Sequence, residues 1–320
     1  MDLSVVIPIY NEAENIEALH QEVTGAVADL GLDYEIVYVD DGSSDQSFTL
    51  LAAIAQRDPR AVVVSFRRNF GQTAAMSAGF DHARGHIVVT MDGDLQNDPR
   101  DIPKLLAKLN EGYDIAAGWR FDRQDTFLTR KLPSQLANRL ISLTTKVHLH
   151  DYGCTLKAFR REVVQNIRLY GEMHRFIPAI ASGVGARIAE VPVNHRPRRA
   201  GQSKYGLGRT VRVVLDLITV KFLLNYATRP IQVFGLWGLV TGGLGFLLAF
   251  CYAFQRLFLG VPLGNKPGLL LAVFLMFVGV QLITLGLLGE LQVRTYYETQ
   301  SKPTYLVRQV LNRPPLKGGA

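Results

Sequence analysis

The chain has 320 residues, 35 Lys and Arg against 28 Asp and Glu, a net charge of +7, and 48% hydrophobic residues. That length suits one domain of ordinary size with an appendage, and the average apolar content excludes a chain that is membrane bundle throughout. The two cysteines, Cys154 and Cys251, lie far apart and support neither a disulfide framework nor a metal site, while the positive charge suits an anionic leaflet and phosphorylated substrates.

Residues 1–8 enter strand-like sequence without a basic stretch, so no signal peptide is expected and the first domain is expected in the cytoplasm. Short Val/Ile-rich runs at 3–9, 34–39, 61–66 and 87–91 alternate with helix-like stretches of a dozen or more residues. This predicts an α/β fold, a parallel sheet covered by helices on both faces. Asn11 followed by Glu14 reads as a capping box for the first helix. Ser44 or Asp45 reads as the cap of the second. Pro99 and Pro103 mark the opening of a helix after an acidic motif. Ligands bind outside the carboxyl ends of such strands. Here those ends carry Pro8-Ile9-Tyr10-Asn11-Glu12, Asp40-Asp41-Gly42-Ser43, Arg67-Arg68-Asn69 and Asp92-Gly93-Asp94. No strand is followed by GxGxxG, which disfavours a dinucleotide-binding dehydrogenase.

Beyond Lys204, the residues Arg209, Arg212 and Asp216 recur at helical spacing among Val213, Val214, Leu217, Ile218, Phe222 and Leu223. An amphipathic helix resting in the membrane interface is expected over 204–229. Segments 231–254 and 268–289 contain no Asp, Glu, Lys or Arg. About 20 apolar residues cross the hydrocarbon, so a transmembrane hairpin is predicted within 230–290. Arg229 precedes the first span, and Arg294, Lys302, Arg308, Arg313 and Lys317 follow the second, against only Arg256 and Lys266 between them. That bias puts both termini on the cytoplasmic side. The expected organisation is a catalytic domain over 1–203, the juxtamembrane helix, the hairpin and a cytoplasmic tail over 291–320, disordered from Arg313. Gly238 and Gly242 form a G-x-x-x-G that could pack within the hairpin or between subunits.

Asp92 and Asp94 close a buried strand, and a turn at Gly93 lets both carboxylates reach one ion, with Gln96 adding a neutral oxygen. Hard oxygen ligands of this kind suit Mg2+ or Mn2+ bound to substrate phosphates, where the cation neutralises charge on a leaving nucleoside diphosphate. Asp40 and Asp41, beside Tyr10 and Glu12, could be a turn and helix cap. They could equally accept hydrogen bonds from ribose hydroxyls or a base N–H.

Four segments together resemble the motif series of family 2 glycosyltransferases. They are Val5 to Glu12, Val39-Asp40-Asp41-Gly42-Ser43, Arg68-Asn69-Phe70-Gly71 and Met91-Asp92-Gly93-Asp94-Leu95-Gln96. The resemblance is nearer to polyprenyl-phosphate glycosyltransferases, namely dolichyl-phosphate mannose synthase and bacterial undecaprenyl-phosphate sugar transferases. The stretch from Asp151 to Arg161, with Gly201-Gln202-Ser203-Lys204-Tyr205, is most similar to the branch that transfers 4-deoxy-4-formamido-arabinose. A glucose-transferring branch is also close. The resemblance runs through the hairpin and Gly286-Leu287-Leu288-Gly289-Glu290.

It implies a GT-A fold and inverting transfer of a sugar from a nucleotide donor, UDP by resemblance, to undecaprenyl or another polyprenyl phosphate. Pro8, Tyr10, Glu12, Asp40 and Asp41 would hold the nucleoside. Asp92, Asp94 and Gln96 would hold the metal and diphosphate. Arg120, Arg130 and Ser134 match positions that meet phosphates of donor and acceptor. Arg198, Ser203 and Lys204 resemble a loop that closes over the acceptor near the membrane. Some relatives carry an acid where Thr155 stands, leaving Asp151 as a possible base or as a partner of Arg or Lys. A lipid monophosphate, with its second pKa near 6, needs no strong base. His148 and His150 read as surface histidines. The expected partners are the nucleotide-sugar, the lipid phosphate, the membrane and further copies of the chain, without nucleic acid.

A processive or non-processive polysaccharide transferase is the alternative. The processive form is disfavoured because neither Trp119 nor Trp237 follows an Arg, as its Gln-x-x-Arg-Trp element would need. A catalytically inactive membrane scaffold is disfavoured by the intact acid pair. The sugar itself is left open.

Overall fold

The computed structural model describes residues 1–121, 147–167, 169, 173–183, 185–197, 230–260, 262, 267–299 and 305–313. They fall into two compact units, one of Met1–Val220 with Lys302–Ala320 and one of Lys221–Ser301.

In the first unit β1 (Leu3–Ile9), β2 (Tyr34–Asp40), β3 (Ala61–Phe66) and β4 (Ile87–Thr90) form where the Val/Ile runs lie. They pair in parallel, β1 with β2 and β4, and β2 with β3. Their continuous apolar runs follow from helices on both faces. Leu3, Val5, Ile7 and Ile9 share a core with α1 (Ile16–Ala28), α2 (Ser47–Arg57) and α4 (Ile102–Asn110). Val6 points the other way, toward α3 (Gln72–His82), where a side chain at Gly79 would collide with the Val6 methyl carbon at 2.1 Å.

The sheet is mixed rather than parallel. β5 (Ile115–Arg120), β6 (Lys157–Arg160), β7 (Ile188–Val193) and β8 (Val307–Leu311) complete eight strands in the order β7-β5-β6-β4-β1-β2-β3-β8. β6 runs antiparallel to β4 and β5, β8 antiparallel to β3, and β7 parallel to β5. Two short helices, α5 (Arg161–Gln165) and α6 (Ile177–Gly183), and single 3-10 turns at Pro99–Asp101 and Met173–Phe176 fill the connections.

Local signals fared unevenly. Pro99 and Pro103 do open the helical segment after the acid motif, with Asp98 Oδ1 accepting from the Arg100 amide at 3.1 Å. The cap of α2 is Gln46, without a side-chain cap bond, rather than Ser44 or Asp45, although Asp45 Oδ1 accepts from the Ser47 amide at 2.9 Å. The capping box does not form. α1 starts at Ile16 without a side-chain cap, and Asn11 sits at φ +54°, its Oδ1 taken by the Ser44 amide at 2.8 Å. Asn is among the non-glycine residues that most readily enter the left-handed region, and here its side chain bonds across to the loop after β2.

After the second long helix the chain returns to the first unit through β8, and Arg313 itself is placed there; the stretch after it, expected to be disordered, lies outside the described residues. The Tyr305 hydroxyl donates to Asp81 at 2.7 Å and its ring stacks on Phe66 at 5.0 Å. Asn312 Nδ2 reaches the carbonyls of Ala55 and Ala61 at 2.6 and 2.9 Å. The Arg313 guanidinium pairs with buried Glu35 and donates to the His82 carbonyl.

The second unit is a pair of long helices, α7 (Pro230–Leu259) and α8 (Pro267–Thr299). Within them Phe234–Leu259 and Pro267–Gly289 have mean hydropathies of 1.8 and 2.5, long and apolar enough to cross a bilayer. Leu236, Leu239, Phe246, Phe250, Phe274 and Phe277 are exposed on their outer sides. The helices meet at glycines: a Cβ at Gly238 would lie 2.7 Å from the Gly279 carbonyl oxygen, and one at Gly279 2.7 Å from that of Gly238. The G-x-x-x-G therefore serves contact inside the hairpin. The amphipathic stretch 204–229 lies outside the described residues.

Candidate active site

The loops that follow β1, β2, β3 and β4 meet at one edge of the sheet and are laced by side-chain-to-backbone bonds. The Asn11 amide donates to Ser43 Oγ at 3.0 Å, the Glu12 amide to Ser47 Oγ at 2.9 Å, and the Ala13 amide to Asp45 at 3.2 Å. This edge brings together Pro8, Tyr10, Glu12, Asp40 and Asp41. Tyr10 is exposed, and Glu12 Oε2 accepts from Asn15 Nδ2 at 2.7 Å. Asp40 accepts from the Ser43 amide at 3.0 Å and from Ser65 Oγ at 2.9 Å. Asp41 accepts from the amides of Phe70 and Gly71 at 2.7 and 2.9 Å, so it orders the turn into α3. Burial still pushes its carboxyl up to about 6. Gly42, at φ +65°, is the point where that turn comes closest. A Cβ there would lie 2.3 Å from the Arg68 carbonyl carbon.

Past β4 the chain turns sharply through Asp92-Gly93-Asp94-Leu95, with Leu95 at φ +61°. The Asp92 amide donates to Asn97 Oδ1 at 3.1 Å, and Thr155 Oγ1 donates to the same oxygen at 3.0 Å. Gln72 Nε2, from the first residue of α3, donates to Asp92 Oδ1 at 2.8 Å. Asp94 Oδ1 accepts from the Gln96 amide at 3.2 Å, and Gln96 Nε2 reaches the Arg196 carbonyl at 3.4 Å. Burial and the neighbouring Asp94 both raise the Asp92 carboxyl above the ordinary carboxylate range. Two acids crowded out of water favour a cation between them.

Arg120, at the end of β5, is held by Asp151 in a two-point ion pair, Nε to Oδ2 at 2.6 Å and Nη2 to Oδ1 at 2.9 Å. The Gly153 amide adds a bond to Asp151 Oδ1 at 3.0 Å. Glu190, on β7, in turn accepts from the His150 amide, His150 Nδ1 and the Asp151 amide at 3.1, 2.7 and 3.0 Å. Buried Lys157, on β6, donates to the Cys154 and Tyr152 carbonyls and ties down the same loop; burial lowers its pKa. The fork on Arg120 uses its Nε and one Nη2 hydrogen, leaving the Nη1 hydrogens available for phosphate oxygens.

The structure thus gathers Asp92, Asp94, Gln96, Arg120 and Asp151 with the nucleotide-edge residues. Arg130, Ser134, Arg198, Ser203 and Lys204 lie outside the described residues. His148 is exposed; His150 is exposed too, yet bound to Glu190 and stacked on Trp119 at 4.3 Å. Sequence reasoning missed Gln72, Asn97, Lys157 and Glu190. Gln72 directly follows a motif that was recognised, whereas a lysine or glutamate inside a short strand gives no signal of its task.

Residues 4–168 match Glycosyl transferase family 2. The chain is 44% identical to dodecaprenyl-phosphate galacturonate synthase of Rhizobium johnstonii, over 98% of this chain and 94% of that protein. It is 41% identical to undecaprenyl-phosphate 4-deoxy-4-formamido-L-arabinose transferase of Pseudomonas aeruginosa strain LESB58, over 98% and 91%. Among solved structures it resembles glucosyl-3-phosphoglycerate synthase from Mycobacterium tuberculosis in complex with Mn2+, UDP and phosphoglyceric acid. That likeness has a TM-score of 0.54 at 23% identity, covers 69% of this chain and 78% of the other, and is one of fold.

Proposed function

The chain belongs to glycosyl transferase family 2, and on that premise we propose that it moves a sugar from a nucleotide-sugar to a polyprenyl phosphate at a membrane. The observation that carries this reading is the extent of the likeness: 98% of the chain, hairpin included, aligns with enzymes named for that transfer. The product is a polyprenyl-monophosphate sugar for envelope glycan or lipid A modification.

The nucleoside rests against Pro8, Tyr10, Glu12, Asp40 and Asp41. The donor set beyond β4, two carboxylates and an amide oxygen, fits a hard divalent ion, Mg2+ or Mn2+, completed by diphosphate oxygens. Asp92, Asp94 and Gln96 would hold that ion, which when bound offsets the charge on the departing nucleoside diphosphate. Arg120 grips a phosphate oxygen with the hydrogens Asp151 leaves unused. Asp151 aims Arg120; with both its oxygens committed to a guanidinium it is a poor base. None is needed, because a phosphate oxygen of the lipid, largely a dianion at neutral pH, attacks the anomeric carbon as the bond to the diphosphate breaks. Backside attack inverts that carbon, and alignment of the two partners supplies the proximity term. Arg130, Ser134, Arg198, Ser203 and Lys204 complete the acceptor side.

The excess of Lys and Arg outside the hairpin supports a cytoplasmic catalytic unit in an inner membrane. Connectivity supports both flanks of the hairpin lying on one side, whichever side that is. β8 pairs with β3, so the segments before and after α7 and α8 belong to one folded unit, and two crossings return the chain to its starting side. Self-association beside lipid is compatible with the exposed apolar rows of α7 and α8.

The test is a donor screen with purified protein and a short polyprenyl phosphate, covering UDP-linked galacturonate, 4-deoxy-4-formamido-arabinose and glucose, with product mass and UDP release as readouts. A lipid-linked sugar from one donor is expected; absence from all three would exclude these donors, and absence of product across a full panel of nucleotide-sugars would refute the transfer. Asp94→Ala is expected to abolish transfer while leaving the protein folded. Near-normal turnover of that variant in metal-free buffer would overturn the metal reading.

A further inference from the structure

We propose that Gln72 is a positioning residue of the acid pair: its amide holds Asp92 in the orientation that meets the divalent ion. The inference rests on the metal reading above. Asp92 lies beyond β4 in irregular chain, where no strand pairing fixes its side chain. Its amide is occupied by Asn97, a bond that sets the backbone, and on the carboxylate itself the hydrogen-bonding side chains are Thr155 and Gln72. The bond from Gln72 Nε2 at 2.8 Å fixes one carboxylate oxygen.

Gln72 is itself presented from a rigid frame. It is the first residue of α3 and follows Gly71, whose φ of +95° suits glycine. Asp41 ties the amides of Phe70 and Gly71 just before it. Just after it, buried Thr73 Oγ1 bonds buried His174 Nδ1 at 2.8 Å. The helix start is therefore pinned from two sides, and Gln72 stands between the pins. The chemistry of the donor also matters. An amide orients a carboxylate without cancelling its charge, whereas Arg or Lys in its place would compete with the ion. Partners that orient a metal's ligands are typically worth about 10- to 100-fold in metal affinity.

The experiment measures Mn2+ binding to the full chain in detergent with UDP present, from loss of the free Mn2+ electron paramagnetic resonance signal. Wild type is compared with Gln72→Met and Gln72→Ala, both good helix formers lacking the donor. Protection of buried Cys154 from thiol labelling, in a Cys251→Ser background, reports the fold of each variant. Both variants are expected to bind Mn2+ about tenfold more weakly with Cys154 still protected. Binding within twofold of wild type in both variants overturns the proposal while the metal reading stands. Failure of wild type itself to bind Mn2+ with UDP overturns the metal reading and this inference with it. Weaker binding accompanied by exposure of Cys154 in both variants also overturns it, since the loss would then be structural.

Discussion

Arg313→Met is expected to destabilise the catalytic unit by about 3 kcal/mol, because it strands a buried charge. Glu35 and Arg313 have side chains only 2% and 6% exposed. Glu35 Oε1 already accepts from Ser4 Oγ at 2.6 Å and from the Arg84 amide at 2.7 Å, while Oε2 depends on Arg313. Removing one member of a buried pair costs roughly 3–5 kcal/mol, and the two surviving bonds place this case at the lower end. In the double variant Glu35→Gln with Arg313→Met the charge disappears and the Gln oxygen still serves Ser4 and Arg84. That variant is expected to recover about 2 kcal/mol relative to Arg313→Met alone, and Glu35→Gln alone completes the double-mutant cycle. The assay is thiol labelling of Cys154, fully buried in the core, as a function of urea in the Cys251→Ser background. With opening fast relative to labelling, Arg313→Met should react roughly a hundredfold faster in native buffer, each decade corresponding to about 1.4 kcal/mol. A single variant within about 0.5 kcal/mol of wild type, or a double variant as unstable as the single, would refute the argument.

Other expectations follow from the same geometry. Arg120→Lys keeps the charge but loses the fork to Asp151, and kcat should fall about 10- to 100-fold with donor KM little changed; an unaltered kcat in steady-state assays would contradict the role given to Arg120. Gly279→Leu drives a side chain into the backbone of α7 at Gly238 and Gly242, where contacts would be 2.7 Å, and should cost about 1–3 kcal/mol of hairpin stability. Proteolysis of the hairpin in detergent reads this, and unchanged resistance would count against close packing there. His82 is held at about 4, chiefly by burial and then by Arg313, against 6.5 when exposed. A depressed folded pKa contributes stability above about 6.5 that is lost as pH falls toward 4, up to roughly 3 kcal/mol. The urea midpoint should drop across that window less in His82→Leu than in wild type, and equal slopes would exclude His82 as the source.

The parallel half of the sheet was legible because β1 to β4 are buried on both faces and therefore read as unbroken Val/Ile runs. β6 could not be read that way. It has four residues, Lys157-Ala158-Phe159-Arg160, and two are charged. Lys157 is tolerated there only because carbonyls of its own loop receive its hydrogens. β8 was obscured for another reason. Val307-Arg308-Gln309-Val310-Leu311 looks like a polar tail after two spans, and its strand character depends on an edge, β3, some 240 residues earlier in the chain. Pairing over such a separation leaves no local trace. Arg313 likewise reads as the start of a basic tail until Glu35 is seen beneath it.

In the site, residue types announced chemistry more reliably than they announced partners. The acid pair and Glu12, with Tyr10 beside them, stood out as acids gathered at strand ends, whereas Arg120 came from the family resemblance. Their supports are ordinary residues whose purpose appears only in three dimensions. Asp41 shows how the two kinds of role merge. It was read as either a cap or a nucleoside contact, and its bonds to Phe70 and Gly71 make it the clamp of the turn that delivers Gln72 to Asp92. A nucleoside that touches Asp41 would therefore touch the frame of the acid pair as well.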